Sequence, residues 1–181
     1  MKSKTTYHIV SCALMSAIIC VLSQISIPLP TGVSLTLQTF AVALCGYFLG
    51  IKYGTVSVCV FLALGALGIP VFSGFKGGIH ILTAGLTGGF LWGFIFLSFF
   101  CGLGVHRMLK KHGFMIPVLF GVIGLLICHL CGVVQYSAIS GIGFIQSILA
   151  VSVPFLIKDI LSVAAAFFCA RAISKAVRRP V

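Results

Sequence analysis

The chain has a single acidic residue, Asp159, which lies inside an apolar stretch near the carboxyl end. A carboxylate within a membrane-spanning segment costs about 2.5–3.5 kcal/mol on insertion scales, so such groups face a partner, a cavity or a pathway. Lys158 precedes it, but adjacent helical residues point about 100° apart, which argues against a purely structural ion pair. Ser162, three residues on, shares its helical face. The sequence therefore predicts that Asp159 binds a ligand or an ion.

Other hydrogen-bonding side chains are expected at the same depth as Asp159, if the amino terminus is cytoplasmic. They lie near the outer ends of three further apolar segments: Thr36, Gln38, Thr39, Thr83, Thr87, Gln135 and Tyr136. Residues near helix ends also meet headgroups and water, so these groups alone do not distinguish a binding site from ordinary solvation. The presence of Asp159 at the same depth favours a binding site over ordinary solvation.

A glycine-rich loop at 68–78 is the second chemically informative segment. It contains four glycines, Phe72 and Phe75, and one cation, Lys76. Glycine permits close backbone approach, and aromatic rings could form an apolar lid, although a flexible turn is the simpler alternative. Together with Asp159, the loop predicts an outward-facing pocket for a small organic anion with N–H groups. Either Lys76 or Lys158 would bind the anion, and Asp159 would accept hydrogen bonds.

The elements that position these groups are membrane helices. Of the 181 residues, 60% are apolar and 7% are charged, whereas a soluble domain has about a quarter charged residues. We expect an all-α integral membrane protein, one domain over residues 1–181, embedded in the lipid bilayer. Its six spanning helices are predicted at 7–27, 36–50, 53–68, 84–105, 115–138 and 153–173. The second and third would form a tight hairpin across residues 50–52.

The distribution of basic residues sets the orientation. Twelve lysines and arginines give a formal charge of +11, and an amino terminus inside the cell places ten of them on the cytoplasmic side. These ten are Lys2, Lys4, Lys52, Arg107, Lys110, Lys111, Arg171, Lys175, Arg178 and Arg179. Both termini are then cytoplasmic, and the excess charge indicates topology rather than nucleic-acid binding. Lys76 and Lys158 are the two exceptions.

Four motifs resemble one known family. They are the Thr-Leu-Gln-Thr element at 36–39, the run Gly-Ala-Leu-Gly-Ile-Pro-Val-Phe at 65–72, Thr-Gly-Gly-Phe at 87–90 and Pro-Phe-Leu-Ile-Lys-Asp at 154–159. In this order the chain resembles the biotin-specific substrate-binding (S) component of energy-coupling factor (ECF) transporters. The resemblance implies a six-helix protein of the bacterial plasma membrane that binds biotin from outside. Its partners would be a membrane scaffold subunit (EcfT-like) and two cytosolic ATPase subunits (EcfA-like).

The resemblance also implies roles for particular residues. The family's aspartate corresponds to Asp159, its glutamine to Gln38 and its glycine turn to Gly88 and Gly89. Many members have a lysine where this chain has Ser162. Together with the pocket residues, the predicted substrate-binding set is Asp159, Lys158, Gln38, Thr39, Phe72, Lys76, Gly78, Thr87, Gly88, Tyr136 and Ser162. Biotin fits this set, because its ureido N–H groups suit a carboxylate, its thioether ring suits apolar walls and its valerate suits a cation.

The first helix has two small residues four apart, Ala13 and Ala17. Such pairs allow close helix approach in membranes, and in the family this face docks the scaffold subunit. The chain has no phosphate-binding loop of the G-x-x-x-x-G-K-[ST] type, so a partner would supply the energy. We expect neither enzymatic activity, nor a metal site, nor a cofactor.

Three alternative functions remain open from the sequence. The nearest is an S component for another vitamin, riboflavin or thiamine, on the same architecture. A second is an intramembrane oxidoreductase that uses Cys128 and Cys131, which have CxxC spacing but lie within one predicted helix. A small channel is the third, and the absence of polar residues across the inner half argues against it.

Overall fold

The computed structural model describes residues 2–107 and 113–177 and is largely helical. Its helices are α1 (Lys2–Gln24), α2 (Gln38–Ala66), α3 (Ile79–Thr83), α4 (Gly88–His106), α5 (Met115–Ser140), α6 (Phe144–Val151) and α7 (Val153–Ala176). Within the described ranges, five helices are long and apolar enough to cross a membrane: α1, α2, α4, α5 and α7. The prediction of an all-α membrane protein is therefore confirmed.

Helix α2 contains a sharp break at Gly50, whose φ of 77° and ψ of −172° are not helical. The two halves, 38–49 and 51–66, lie side by side, because the Cys45 thiol donates to the Gly54 carbonyl at 3.6 Å. Residues nine apart on a straight helix would be about 13.5 Å apart. The predicted hairpin is thus present. Whether each half spans the bilayer, giving six spans, stays a prediction.

Glycines allow the two halves of α2 and their neighbours to pack closely. A Cβ on Gly54 would lie 2.9 Å from the Cα of Gly46, and a Cβ on Gly93 of α4 would lie 2.6 Å from the Cα of Cys128 of α5. In lipid, where apolar burial drives helix association only weakly, such close approach of small residues stabilises a bundle. The α4–α5 contact in particular fixes Cys128 and the residue after it, His129, against α4.

Several short elements differ from the prediction. Strands β1 (Ser26–Ile27) and β2 (Leu35–Thr36) pair antiparallel after α1, so α1 ends at Gln24 rather than at 27. The fourth span begins at Gly88 rather than 84, because α3 is a separate turn. The connection after α5 contains the unpredicted helix α6. These elements are too short for a clear periodic signal in the sequence.

The buried apolar core lies mainly between α2, α4, α5 and α7, and includes Val42, Phe61, Leu97, Leu125 and Val163. Helices α2, α4 and α7 all begin at the same end of the bundle, which brings their first turns together around a cavity. Four residues used to predict the topology lie outside the described residues: Lys110, Lys111, Arg178 and Arg179. The cytoplasmic position of the termini stays a prediction.

Candidate ligand-binding site

One cavity opens where α2, α4 and α7 begin, and it encloses about 760 Å³ of empty space, including its mouth. Seven predicted site residues line it: Gln38, Thr39, Phe72, Lys76, Thr87, Lys158 and Asp159. Aromatic rings complete the wall, from Phe90, Phe94 and Phe155. The structure therefore brings most of the predicted polar set into one chamber.

Asp159 lies on the cavity wall with a side chain that is only 6% exposed. Its Oδ1 lies 2.5 Å from Lys158 Nζ, and its Oδ2 lies 3.2 Å from His129 Nε2. Lys158 Nζ also donates to the carbonyl of Thr36 at 2.9 Å. The expectation that Lys158 and Asp159 would not pair is wrong, because the four-carbon lysine side chain curls back across the angle between the two Cα–Cβ directions.

His129 was not predicted as a site residue, yet it is one of the best-held side chains of the cavity. Its Nδ1 lies 2.9 Å from Ser152 Oγ, and its ring meets Phe90 edge to face at 5.7 Å. The ring is 94% buried. A histidine in the middle of a membrane helix was the signal that could have found it, because intramembrane ionisable groups are functional by default. The CxxC pattern around it is instead typical of a role for the cysteines.

The cavity contains buried polar atoms without protein partners among the described residues. Gln38 is 5% exposed, and its Nε2 has no acceptor; Ser73 Oγ is also unpartnered. Asp159 Oδ1 contacts Lys158 but makes no hydrogen bond of good geometry. A buried polar group left unpaired costs about 1–3 kcal/mol. A ligand that supplies an acceptor to Gln38 and a donor to Asp159 would remove this cost.

The loop at 68–78 covers one side of the cavity and is held by specific contacts. Phe72 N–H donates to the carbonyl of Lys76 at 2.9 Å, and Lys76 N–H donates back at 3.2 Å. The ring of Phe72 packs edge to face on Phe61, over Gly65, where a Cβ would overlap the ring. These contacts hold the loop in a defined conformation, unlike the flexible turn that was the simpler alternative.

Gln24, the last residue of α1, ties this loop to the bundle. Its Nε2 donates to the carbonyl of Val71 at 2.9 Å, and its Oε1 accepts the N–H of Phe75 at 2.9 Å. Phe75 has a positive φ of 56°, which is uncommon for a residue other than glycine. The amide of Gln24 thus fixes the tip of the loop. No sequence pattern predicts the contact between Gln24 and Phe75, because the two residues are 51 positions apart.

Four predicted site residues do not line the cavity. Gly78 is the last residue of the loop, and its N–H donates to the carbonyl of Gly65 at 2.7 Å. The Tyr136 hydroxyl donates to the carbonyl of Thr31 at 3.1 Å. Gly88 provides space for the Gln135 side chain, which binds the carbonyls of Leu82 and Gly85. Ser162 is one helical turn, about 4.5 Å, beyond Asp159. Direct ligand contact by these four stays a prediction.

Ala13 and Ala17 both lie on the exposed face of α1, in line with Ile9 and Val21. The opposite face packs into the bundle, where Ser16 Oγ donates to the carbonyl of Ser57 at 2.8 Å. A row of small side chains on an otherwise apolar, unpacked face suits close approach by another membrane helix. Their role in docking stays a prediction.

The profile of the BioY family matches residues 1–179 of the sequence. The chain belongs to the BioY family. Among its relatives, the biotin transporter BioY of Thermotoga maritima is 44% identical over 126 residues, which are 70% of this chain and 72% of the relative. A probable biotin transporter BioY of Pyrococcus horikoshii is 39% identical over 159 residues, 87% of this chain and 90% of the relative.

The fold is similar to a solved crystal structure, the S-component for biotin from an ECF-type ABC transporter. The TM-score is 0.88 at 26% sequence identity, over 97% of this chain and 94% of the solved chain. Together with the family and the membrane-length helices, this makes the chain a multi-pass membrane protein of a transporter family and not an enzyme. The oxidoreductase alternative is therefore wrong. Cys128 lines the cavity, and its thiol donates to the Phe90 carbonyl at 3.5 Å.

Proposed function

We propose that the chain is the biotin-binding S component of an ECF-type uptake transporter and captures biotin from outside the cell. The observation that carries the proposal is the buried Asp159 carboxylate, the only acidic side chain of the sequence. It lies in a cavity where the Gln38 Nε2 has no acceptor among the described residues. The similarity to the solved S-component for biotin and to the named biotin transporters supports it.

The ureido ring of biotin suits the Asp159 end of the cavity. A cyclic urea has N–H donors and a carbonyl acceptor, and Asp159 and Gln38 offer the complementary acceptor and donor. Hydrogen bonds to a charged group contribute about 1.5–3 kcal/mol each. The fused thioether ring would pack on the aromatic wall formed by Phe72, Phe90 and Phe155. Each part of this bicyclic ring system has a matching surface.

The carboxylate of biotin requires a cation at the other end of the molecule. Lys158 already contacts Asp159 Oδ1 and the carbonyl of Thr36, so it lies at the ureido end of this arrangement. Lys76 lines the cavity from the loop at 68–78, and it makes no ion pair with any residue the structure describes. Of the two lysines left open by the sequence, Lys76 is the one we assign to the valerate.

The transport step would depend on partners. We infer that α1 docks through Ala13 and Ala17 onto a membrane scaffold subunit (EcfT-like), which joins two cytosolic ATPase subunits (EcfA-like). The sequence itself has no phosphate-binding loop of the Walker type. The site of action would be the plasma membrane of a bacterium, with the cavity facing outward. Copurification from the native membrane tests partners and bound ligand together.

The competing function is an S component for riboflavin or thiamine. Purified protein loaded with labelled biotin and challenged with each vitamin separates the two. We expect unlabelled biotin to displace the label and the other two vitamins to leave it bound. Displacement by riboflavin or thiamine at equal concentration, or no retention of biotin at all, would contradict the proposal.

A further inference from the structure

His129 lies between the ligand cavity and the junction of α6 with α7. One ring nitrogen faces Asp159 Oδ2 at 3.2 Å and the other faces Ser152 Oγ at 2.9 Å. Ser152 is the residue between the two helices, and its carbonyl accepts from Phe155 N–H at 3.1 Å. Phe90 contacts the ring edge to face. Neighbours on α4, on α7 and at the α6–α7 junction therefore fix the imidazole.

The partners define the arrangement of the protons. An ionised carboxylate is only an acceptor, so the Nε2 facing Asp159 must carry a proton. Lys158 contacts the other oxygen of the carboxylate. The Ser152 hydroxyl can donate or accept, so it can pair with Nδ1 whether or not that nitrogen has a proton. All three groups have matching roles.

A carboxylate has about four acceptor positions. His129 and Lys158 each contact one carboxylate oxygen, and the Thr39 side chain is a third polar neighbour of the carboxylate. The remaining acceptor capacity is available to a ligand. Without His129, the carboxylate could rotate about its terminal torsion, which has a broad energy profile in aspartate. The imidazole holds the plane of the carboxylate while leaving acceptor positions free.

We propose that His129, supported by Ser152, is a positioning residue that orients the Asp159 carboxylate toward an N–H donor of the bound ligand, and so determines selectivity for that donor. This rests on the proposed function, because the donor considered is a ureido N–H of biotin. The ring acts through Asp159 and need not touch the ligand.

The test compares biotin with its two mono-N-methyl ureas, each of which lacks one ureido N–H. Binding is measured by titration of the purified full chain and of four variants: His129→Leu, His129→Gln, Ser152→Ala and Ser147→Ala. Gln retains an N–H donor near the position of Nε2, whereas Leu has none. Ser147 is buried in α6 and donates to the Gly143 carbonyl at 3.1 Å, so it is the matched serine control.

We expect His129→Leu to weaken biotin binding about 10- to 100-fold, the range for loss of a hydrogen bond to a charged group. Its affinity for the N-methyl urea that lacks the relevant N–H should change little, so that the selectivity for biotin falls. His129→Gln should restore most of the biotin affinity. Ser152→Ala should weaken biotin binding by about 3- to 10-fold, and Ser147→Ala should have no effect.

The inference is overturned if wild-type protein binds biotin and His129→Leu binds it equally well. It is also overturned if His129→Leu loses affinity for biotin and for both methylated ureas by the same factor. A folded His129→Gln that is as weak as His129→Leu also overturns it. If His129→Leu does not fold, Ser152→Ala decides, and unchanged affinity there rejects the inference. Failure of the wild-type chain to bind biotin is a different result, which rejects the proposed function itself.

Discussion

Lys158 Nζ lies 2.5 Å from Asp159 Oδ1, although the two residues are adjacent on helix α7. This contact places the cation and the carboxylate at the same end of the cavity. The ureido ring and the carboxylate of extended biotin lie at opposite ends of the molecule, so the pair cannot bind both. The acid end of the ligand must therefore find a different cation, and Lys76 on the loop at 68–78 is the described cavity lysine without an ion pair.

Replacing Lys76 by Gln should weaken binding of biotin by about fivefold, the effect of an exposed ion pair of about 1 kcal/mol. Biotin amide, which has no carboxylate charge, should bind the variant and the wild type equally. Lys158→Gln should weaken the binding of both ligands by the same factor, because Lys158 acts at the ureido end. Titration of each protein with the two ligands gives the comparison.

Lys52→Gln is the matched control for Lys76, since Lys52 is exposed beside the break of α2 and lies over the Tyr53 ring, away from the cavity. It should leave both affinities unchanged. An equal loss of biotin and biotin amide in Lys76→Gln would show that Lys76 does not bind the acid.

Gln38→Glu should invert the preference between biotin and 2-iminobiotin. The Gln38 Nε2 is a buried donor that has no acceptor among the residues the structure describes, and we assign the ureido carbonyl to it. Iminobiotin has N–H groups in place of this carbonyl, so wild-type protein should bind it about 10-fold or more weakly. Glutamate provides an acceptor and a charge that match the guanidinium group. Competition of both ligands for labelled biotin measures the ratio.

The matched control for this exchange is Gln135→Glu, because Gln135 binds backbone carbonyls of Leu82 and Gly85 outside the cavity wall. A preference that stays with biotin in Gln38→Glu, in protein that is folded, would refute the assignment of the carbonyl.

Gln24→Ala should accelerate release of the ligand by about 3- to 10-fold, because the amide holds the loop over the cavity by two hydrogen bonds of 2.9 Å. Stopped-flow displacement of bound biotin measures the rate. Gln146→Ala is the matched control. It removes a hydrogen bond of 3.2 Å between Gln146 and the Gly143 N–H at the start of α6, and the release rate should be unchanged. Equal release rates in wild type and Gln24→Ala would mean that the loop does not limit exit.

Ala13→Leu combined with Ala17→Leu should abolish copurification with the scaffold and ATPase subunits while leaving biotin affinity unchanged. Both alanines are exposed on α1, and leucine would keep a partner helix from approaching the backbone. Ala138→Leu, at an exposed position of α5, is the control. Copurification of the double variant at the wild-type level would show that this face of α1 does not contact the scaffold subunit.

Hydropathy was sufficient to predict the membrane fold, because long apolar segments have few alternatives in water or lipid. It also predicted the α2 hairpin around Gly50, where glycine permits a φ of 77°. The sequence does not predict the strand pair or α6, because elements of two to eight residues are too short to give a clear periodic signal.

The site was predicted in part. Asp159 is evident as the only acidic residue of the sequence. Helix directions alone do not predict its contact with Lys158, because the long lysine side chain curls back to reach it. His129 lies on α5, 30 positions before Asp159, and no local pattern predicts the contact between these two residues. Ser162 shares the face of Asp159 but lies one turn beyond the cavity.

The most direct test of the biotin site is isothermal titration of the wild-type chain and of Asp159→Asn with biotin. Asparagine keeps the shape of the side chain but removes the charge that the ureido N–H would meet. We expect tight, saturable binding by the wild type and a loss of about 100-fold in Asp159→Asn, which should still insert and fold. Biotin binding of equal strength in both proteins, or no heat with the wild type, would contradict the proposed site.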